Sequence, residues 1–210
     1  RPRDVWMTDR TYAQPLTMAS NMIKFGAAAM QAAAVASDAN DYALRIEEQG
    51  MLFRVDPKVD AVVNRGATVS RPELTLMRQI EQVVRKGYVR SISQNRVIMD
   101  EGEMASNPGR VFVDCTAPGL STTPAATIFE DGKIGLHFTT RGVAPWSAAV
   151  VACVESLGLS LEEKNRLCPA LPRTGDMQGF LNIMRIGLPV ENERRTVAEL
   201  AEWSAQARLN

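Results

Sequence analysis

Apolar side chains recur at helical spacing in the stretch between residues 70 and 87. Ser70 and Glu73 open it with the residue types and spacing of a capping box, in which each side chain bonds the other residue's backbone amide. The apolar positions that follow are Leu74, Met77, Ile80, Val83 and Val84. This pattern predicts a helix with one buried face that ends at Gly87.

Apolar and polar residues alternate in two later stretches. Residues 88–93 (Y-V-R-S-I-S) and 96–102 (R-V-I-M-D-E-G) flank a Gln94-Asn95 turn, and this arrangement predicts a β-hairpin. Residues 127–129 and 134–138 flank an Asp-Gly pair, which is a strong signal for a second hairpin.

A short apolar run, V-F-V at 111–113, lies between the two hairpins. Its pattern predicts a strand covered on both faces, as in a parallel or mixed sheet. The run leads into the small residues of 116–119 (T-A-P-G), which allow another backbone or a flat ligand to come close. A strand end that packs against a helix needs small residues for the same reason, so both interpretations stay open.

Helical patterns fill most of the remaining chain. Residues 16–49 predict an alanine-rich helix and a second helix with a break at 37–41, and residues 147–157 predict a central helix with a small apolar surface. Residues 51–55 look extended and 61–68 look like a loop. Three short helices are expected at the end: one capped by Ser160 and Glu163, one around 177–186, and one capped by Thr196 and Glu199.

Composition excludes several classes of function. Lys plus Arg equals Asp plus Glu at 24 each, so no excess of positive charge favours nucleic-acid binding. A single histidine, His137, and three cysteines without a C-x-x-C motif predict no metal site and no disulfide framework. No apolar stretch is long enough for a membrane span, and the first residues do not have the pattern of a secretory signal, so a cytoplasmic protein without a membrane partner is expected.

The order of elements in residues 66–120 resembles a known family. A capped helix, an antiparallel meander and a strand that ends in D-C-T-A-P-G resemble the second half of the FAD-binding domain in flavin-dependent oxidoreductases of the flavin monooxygenase and pyridine-nucleotide oxidoreductase type. The resemblance implies that Thr116, Ala117 and Gly119 pass close to FAD. This sequence departs from the family's A-T-G-like turn by having Pro118 before the glycine.

A second stretch, G-V-A-P-W-S-A-A at 142–149, is similar to the place where such flavoproteins point a helix at the flavin or its pyrophosphate. The positive end of a helix dipole and its free amides favour a negative group there. The resemblance implies cofactor contacts at Pro145, Ser147 and Ala148, with amides supplied by Ser147 and Ala148.

The resemblance implies an α/β fold containing part of a Rossmann-like FAD-binding domain, with a mixed sheet, an antiparallel meander and helical segments. Residues 66–158 would be the carboxyl-terminal half of that domain. Residues 1–65 would be a helical, substrate or second-domain portion, and residues 159–210 would be covering helices. The G-x-G-x-x-G fingerprint of this fold is absent, so it is expected upstream of Arg1.

Two functions are therefore expected as alternatives. In the first, the chain is the carboxyl-terminal portion of an FAD-dependent oxidoreductase that is linked to NAD(P)H, acts on a small organic substrate and is inactive without its upstream part. The flavin carries the redox chemistry, so no catalytic side chain is assigned. In the second, the chain is a non-catalytic α/β binding or protein-interaction domain that folds alone and self-associates or binds a partner.

Overall fold

The computed structural model describes residues 4–13, 19–115, 124–140 and 144–207, and these form a mixed α/β structure with small sheets. The eight helices of these residues are α1 (Arg10–Ala13), α2 (Ala19–Val35), α3 (Ala39–Glu48), α4 (Arg71–Arg78), α5 (Ala144–Ser156), α6 (Leu161–Leu167), α7 (Met177–Arg194) and α8 (Ala198–Gln206). Their ten strands are β1 (Asp4–Val5), β2 (Met7–Asp9), β3 (Leu52–Phe53), β4 (Ala61–Val63), β5 (Thr68–Val69), β6 (Val89–Ile92), β7 (Arg96–Met99), β8 (Gly102–Ala105), β9 (Phe129–Glu130) and β10 (Lys133–Ile134). The α/β class expected from the sequence is confirmed.

The chain divides into two compact units. The first comprises Arg1–Gly26 and Ala43–Ser121, and the second comprises Ala27–Tyr42 and Thr122–Asn210. Among the described residues, every sheet has two or three strands. Sheets of this size depend on packing against other elements for their stability.

In the first unit, short strands surround β2. Strand β2 pairs antiparallel with β3 and parallel with β5, while β1 pairs parallel with β4. The stretch 61–68, expected to be a loop, thus contains parts of two strands. These strands pair with β1 and β2, which are distant in sequence, so the local sequence pattern could not predict them. Buried side chains of Met7, Phe53, Val69 and Leu74 form the core of this part.

Helix α4 begins as predicted and ends earlier than predicted. The Ser70 hydroxyl accepts from the Glu73 amide and the Glu73 carboxylate accepts from the Ser70 amide, so the capping box is confirmed. The helix ends at Arg78, not at Gly87. Ile80, which the helical pattern placed on the buried face, is 62% exposed.

Tertiary contacts account for this early end. The Arg78 guanidinium donates to the carbonyls of Arg54 and Val55, at 2.9 and 3.0 Å. Further along the chain, Arg85 forms ion pairs with Asp4 and Asp56. These charged contacts stabilise a non-helical backbone after Arg78 and outweigh the weak helical propensity of the residues that follow.

The predicted meander is present, but the strand expected after it is not. Strands β6, β7 and β8 form a three-stranded antiparallel sheet, in which β8 extends the predicted hairpin by one strand. Residues 111–115 belong to no helix or strand, and Val111 and Val113 are 87% and 78% exposed. The prediction of a strand covered on both faces is therefore wrong for this chain as described.

One buried apolar cluster of the second unit lies between α5, α6, α8 and the second hairpin. Its buried members are Ile128, Phe129, Val150, Val151, Val154, Leu167, Cys168 and Leu200. Trp146 and Trp203 stack beside it, with ring centroids 5.0 Å apart and planes within 10°. The hairpin of β9 and β10 is confirmed, and Gly132 takes the left-handed conformation (φ 68°) that its turn requires.

Several helix ends differ from the predicted ones. The break between α2 and α3 and the capping box of α6 are confirmed. Helix α5 begins at Ala144, three residues earlier than expected, and α7 continues to Arg194. Thr196 does not cap α8, because Val197 is the N-cap residue and the Thr196 hydroxyl donates to the carbonyl of Glu193.

Candidate functional site

Three buried hydroxyl groups meet at the amino-terminal end of α5. The Ser147 hydroxyl oxygen accepts hydrogen bonds from the backbone amides of Thr139 and Thr140, both at 3.2 Å. It also lies 2.8 Å from the Thr140 hydroxyl, with which it shares a hydrogen bond. All three residues are almost fully buried, so these hydrogen bonds tie Thr139 and Thr140 to the first turn of α5.

A buried arginine joins this group from the end of α7. The Arg194 Nη2 donates to the carbonyl and hydroxyl oxygens of Thr139, at 2.9 and 2.7 Å, and its Nε donates to the Leu167 carbonyl at 2.7 Å. Arg194 is only 8% exposed. We refer to Thr139, Thr140, Ser147, Cys168 and Arg194 together as the α5 polar cluster.

The α5 polar cluster carries a positive charge in a low-dielectric environment. Burial lowers the pKa of the Arg194 guanidinium, while nearby Cys168 and Glu191 raise it. Among the described residues, no carboxylate forms an ion pair with Arg194. A guanidinium remains protonated even when its pKa is lowered, so the cluster holds a cation whose partners are neutral oxygens.

The cysteine in this cluster is buried, and burial disfavours its thiolate form. Burial raises the pKa of Cys168, and the opposing effects of Arg194 and of a hydrogen bond with Thr139 are smaller. Burial also raises the pKa of Cys153. Since the thiolate is the reactive form, burial disfavours reaction at both side chains.

The observed start of α5 changes which amides face outward at this end. In a helix that begins at Ala144, the amide of Ala148 reaches the Ala144 carbonyl four residues earlier and is used inside the helix. The amides of Ala144 and Trp146 have no intrahelical partner, and Pro145 has no amide hydrogen. The dipole of α5 and the Arg194 guanidinium both favour a negative group here.

The sequence-predicted contact residues have different positions. Ser147 lies inside the α5 polar cluster, whereas Pro145 and Ala148 are exposed beside it. Thr116, Ala117 and Gly119 lie outside the described residues, so their predicted roles stay predictions. The structure therefore groups one predicted residue with partners that sequence reasoning missed.

A sequence signal could have revealed some of those partners but not all of them. The pair Thr139-Thr140 follows the second hairpin directly and precedes the helix that was already singled out, so its position was readable. Arg194 had no such signal, because it stands in the charged stretch E-N-E-R-R, which is typical of a solvated helix face.

The described residues contain neither a metal-binding cluster nor a membrane-spanning helix. They contain no group of three or more His, Cys, Asp or Glu side chains that could hold a metal ion. None of the helices in the described ranges combines the length and apolarity needed to cross a membrane.

Two mycobacterial proteins are similar to this chain. Over 210 residues it is 31% identical to "Uncharacterized protein Mb2023" of Mycobacterium bovis and to "Uncharacterized protein Rv2000" of Mycobacterium tuberculosis. The similarity covers 100% of this chain and 39% of each relative, so the chain spans about two fifths of the length of the curated relatives it matches. No protein-family model and no solved structure matches the chain.

Proposed function

We propose that this chain is part of an FAD-dependent oxidoreductase that takes electrons from NAD(P)H and acts on a small organic substrate. The observation that supports the proposal is the buried Arg194 guanidinium, bonded to Thr139 beside the amino-terminal end of α5. Both features favour a negatively charged ligand, such as a pyrophosphate or the anionic form of a reduced flavin ring.

The residues at this end of α5 are compatible with such a ligand in charge. The amides of Ala144 and Trp146 can donate to an anion, and Pro145 and Ala148 leave room for a backbone approach. The Ser147 hydroxyl does not contact the ligand in this arrangement, because it holds Thr139 and Thr140 in place. FAD supplies hydride and electron transfer when it is bound, and these residues would bind and orient it.

The order of the elements gives further support. The antiparallel meander β6–β8 follows a capped helix and precedes the D-C-T-A-P-G stretch, as in the flavoproteins that the sequence resembles. The proposal assigns residues 66–158 to the carboxyl-terminal half of a Rossmann-like FAD-binding domain.

A titration with FAD, followed by flavin fluorescence, tests this proposal. We expect saturable uptake, and we expect Arg194→Met to weaken it by at least about tenfold, the factor that corresponds to 1.4 kcal/mol of lost interaction. Arg185→Met is a matched control, because Arg185 also donates to two backbone carbonyls, those of Ala33 and Ala36.

Circular dichroism of both variants must show that each is folded before the affinities are compared. If the folded protein takes up no FAD, the proposal is overturned. Equal losses of affinity in Arg194→Met and Arg185→Met would contradict the role given to the end of α5.

A second candidate function is favoured by a different observation. Large apolar side chains are exposed at and beside the meander, including Tyr88 and Val89 at 54% each. Exposed apolar groups of this kind occur at protein interfaces, so a non-catalytic interaction domain would explain them. Cooperative folding of the chain without any FAD uptake would favour this second function.

A further inference from the structure

A run of five residues after the meander exposes apolar side chains to solvent. In R-V-F-V-D at 110–114, Val111, Phe112 and Val113 are 87%, 44% and 78% exposed, and the flanking charged residues are exposed as well. Three consecutive β-favouring residues that are exposed to water can pair with an extended segment of another chain.

The charges in this run are self-complementary. If two copies align antiparallel about Phe112, position 110 of one copy lies opposite position 114 of the other. Each Arg110 then faces an Asp114, and each Val111 faces a Val113. An opposite-charge pair at both ends and apolar pairs between them stabilise this register, whereas a parallel, in-register alignment would place like charges together.

We propose that residues 110–114 form an antiparallel two-stranded interface between two copies of this chain, with Phe112 on the two-fold axis. Such an interface is isologous and closes on itself after two copies. It needs no ligand, so it does not depend on the proposed FAD binding.

The backbone around Arg110 fits one of the two possible hydrogen-bonding patterns. The Arg110 amide already donates to the Asn107 carbonyl at 3.1 Å, in the turn that precedes the run. This amide is not required if Phe112 is at a non-hydrogen-bonded position of the ladder, because Val111 and Val113 then exchange the inter-strand bonds. The non-hydrogen-bonded pattern is therefore the one that the interface adopts.

Charge reversal tests the interface and its register together. By sedimentation equilibrium, we expect a concentration-dependent dimer at protein concentrations up to about 1 mM, where even weak complexes form. Arg110→Asp alone and Asp114→Arg alone should each weaken the dimer at least about fivefold, because like charges then face each other at both ends. The double variant that carries both changes should restore it.

A cross-linking measurement tests the position of the axis. Antiparallel partners at a non-hydrogen-bonded position have Cα atoms about 4.5 Å apart, which is within disulfide range. In a Cys115→Ser background, Phe112→Cys should therefore form an intermolecular disulfide under mild oxidation, whereas Val111→Cys should not. Cys115 of the natural chain lies opposite position 109 in this register and should form none.

Several outcomes would overturn the proposal. They are a monomer at all concentrations, a dimer whose double charge reversal fails to restore association, and open-ended aggregates in place of a closed pair. A Cys115–Cys115 disulfide would indicate parallel pairing. Protection of 110–114 from hydrogen exchange only in the presence of additional polypeptide, with the chain alone monomeric, would assign the run to a different strand.

Discussion

At the scale of single residues, Ser147 has the best-defined role in the molecule. Its hydroxyl is the acceptor for two buried backbone amides, so Ser147→Ala would leave both amides without that acceptor. We expect the free energy of unfolding to fall by about 1–3 kcal/mol, the usual cost of unsatisfied buried donors. Equilibrium urea unfolding followed by tryptophan fluorescence measures it.

The same helix provides the control for this prediction. The Ser156 hydroxyl donates to the Cys153 carbonyl at the exposed end of α5. Ser156→Ala should change the free energy of unfolding by no more than about 0.5 kcal/mol, as surface substitutions usually do. Equal losses in the two variants would show that the hydroxyl at 147 has no special structural role.

At the scale of elements, the first turn of α7 requires a glycine at position 179, and the surrounding sequence did not suggest this. A Cβ atom there would collide with the Thr174 side chain, whose hydroxyl donates to the Asp176 carboxylate that caps the helix. Gly179→Ala should therefore destabilise the protein by about 1–3 kcal/mol through overpacking and loss of the cap.

The contrasting position is Gly158, where an added Cβ would have open space around it. Gly158→Ala should leave the thermal midpoint unchanged or raise it slightly, because alanine has fewer unfolded conformations than glycine. If Gly179→Ala were tolerated as well as Gly158→Ala, the close contact with Thr174 would be relieved by a small movement.

The capping box of α6 makes stability depend on pH. Hydrogen bonds from the hydroxyl and amide of Ser160 lower the pKa of the Glu163 carboxyl below its ordinary value of 4.5. A depressed carboxyl pKa contributes stability that is present above the unfolded value and is lost as pH falls through the folded value. The contribution is therefore complete at neutral pH and disappears in acid.

Glu163→Gln should remove this dependence. The variant is expected to be less stable than the natural chain at pH 7 and to approach it as pH falls below 4.5, in urea titrations at several pH values. Glu162→Gln is the control, since that neighbouring side chain is exposed and is not part of the capping box. A stability difference for Glu163→Gln that stayed constant with pH would contradict the prediction.

Most elements defined by local chemistry were predictable from sequence, although Thr196 does not cap α8 as expected, and elements defined by distant partners were not predictable. The boxes at Ser70 and Ser160 and the turn at Gly132 depend on residues within four positions, and all are present. The end of α4 depends on arginine contacts far along the chain, which no local pattern contains. At the candidate site, the cofactor contact expected of the Ser147 amide stays a prediction, whereas the hydroxyl contacts of Ser147 with Thr139 and Thr140 were not predicted. Arg194 was not predictable either, because its partners are distant in sequence.

The run at 111–113 shows a different limit. Its apolar pattern predicts coverage on both faces, and the pattern is correct as a statement of what the residues favour. The pattern does not say which surface covers these side chains. Within the described residues of the first unit, to which the run belongs, no surface covers Val111 and Val113.

At the scale of the whole molecule, the charge is balanced and the attraction for an anionic ligand is local. The formal net charge is +0 at pH 7, so the chain as a whole does not steer anions toward itself. The candidate site depends instead on one buried guanidinium and one helix end. If FAD binds as proposed, titrations at several salt concentrations should show an affinity that falls only weakly with ionic strength, because salt screens buried charges less than exposed ones.

The three cysteines lie at three depths and therefore report on the folding of the whole chain. Cys115 is exposed, Cys153 is partly buried and Cys168 is buried, and burial raises the pKa of the latter two. A chromogenic aromatic disulfide should react quickly with one thiol of the native protein and much more slowly with the others, because little thiolate forms at buried sites. Cys115→Ser should abolish the fast phase, and Cys168 should react only when its surroundings open, at a rate that increases with urea. A fast phase that persists in Cys115→Ser, or a rate at Cys168 that is independent of urea, would show that the core of the second unit is more open than the structure describes.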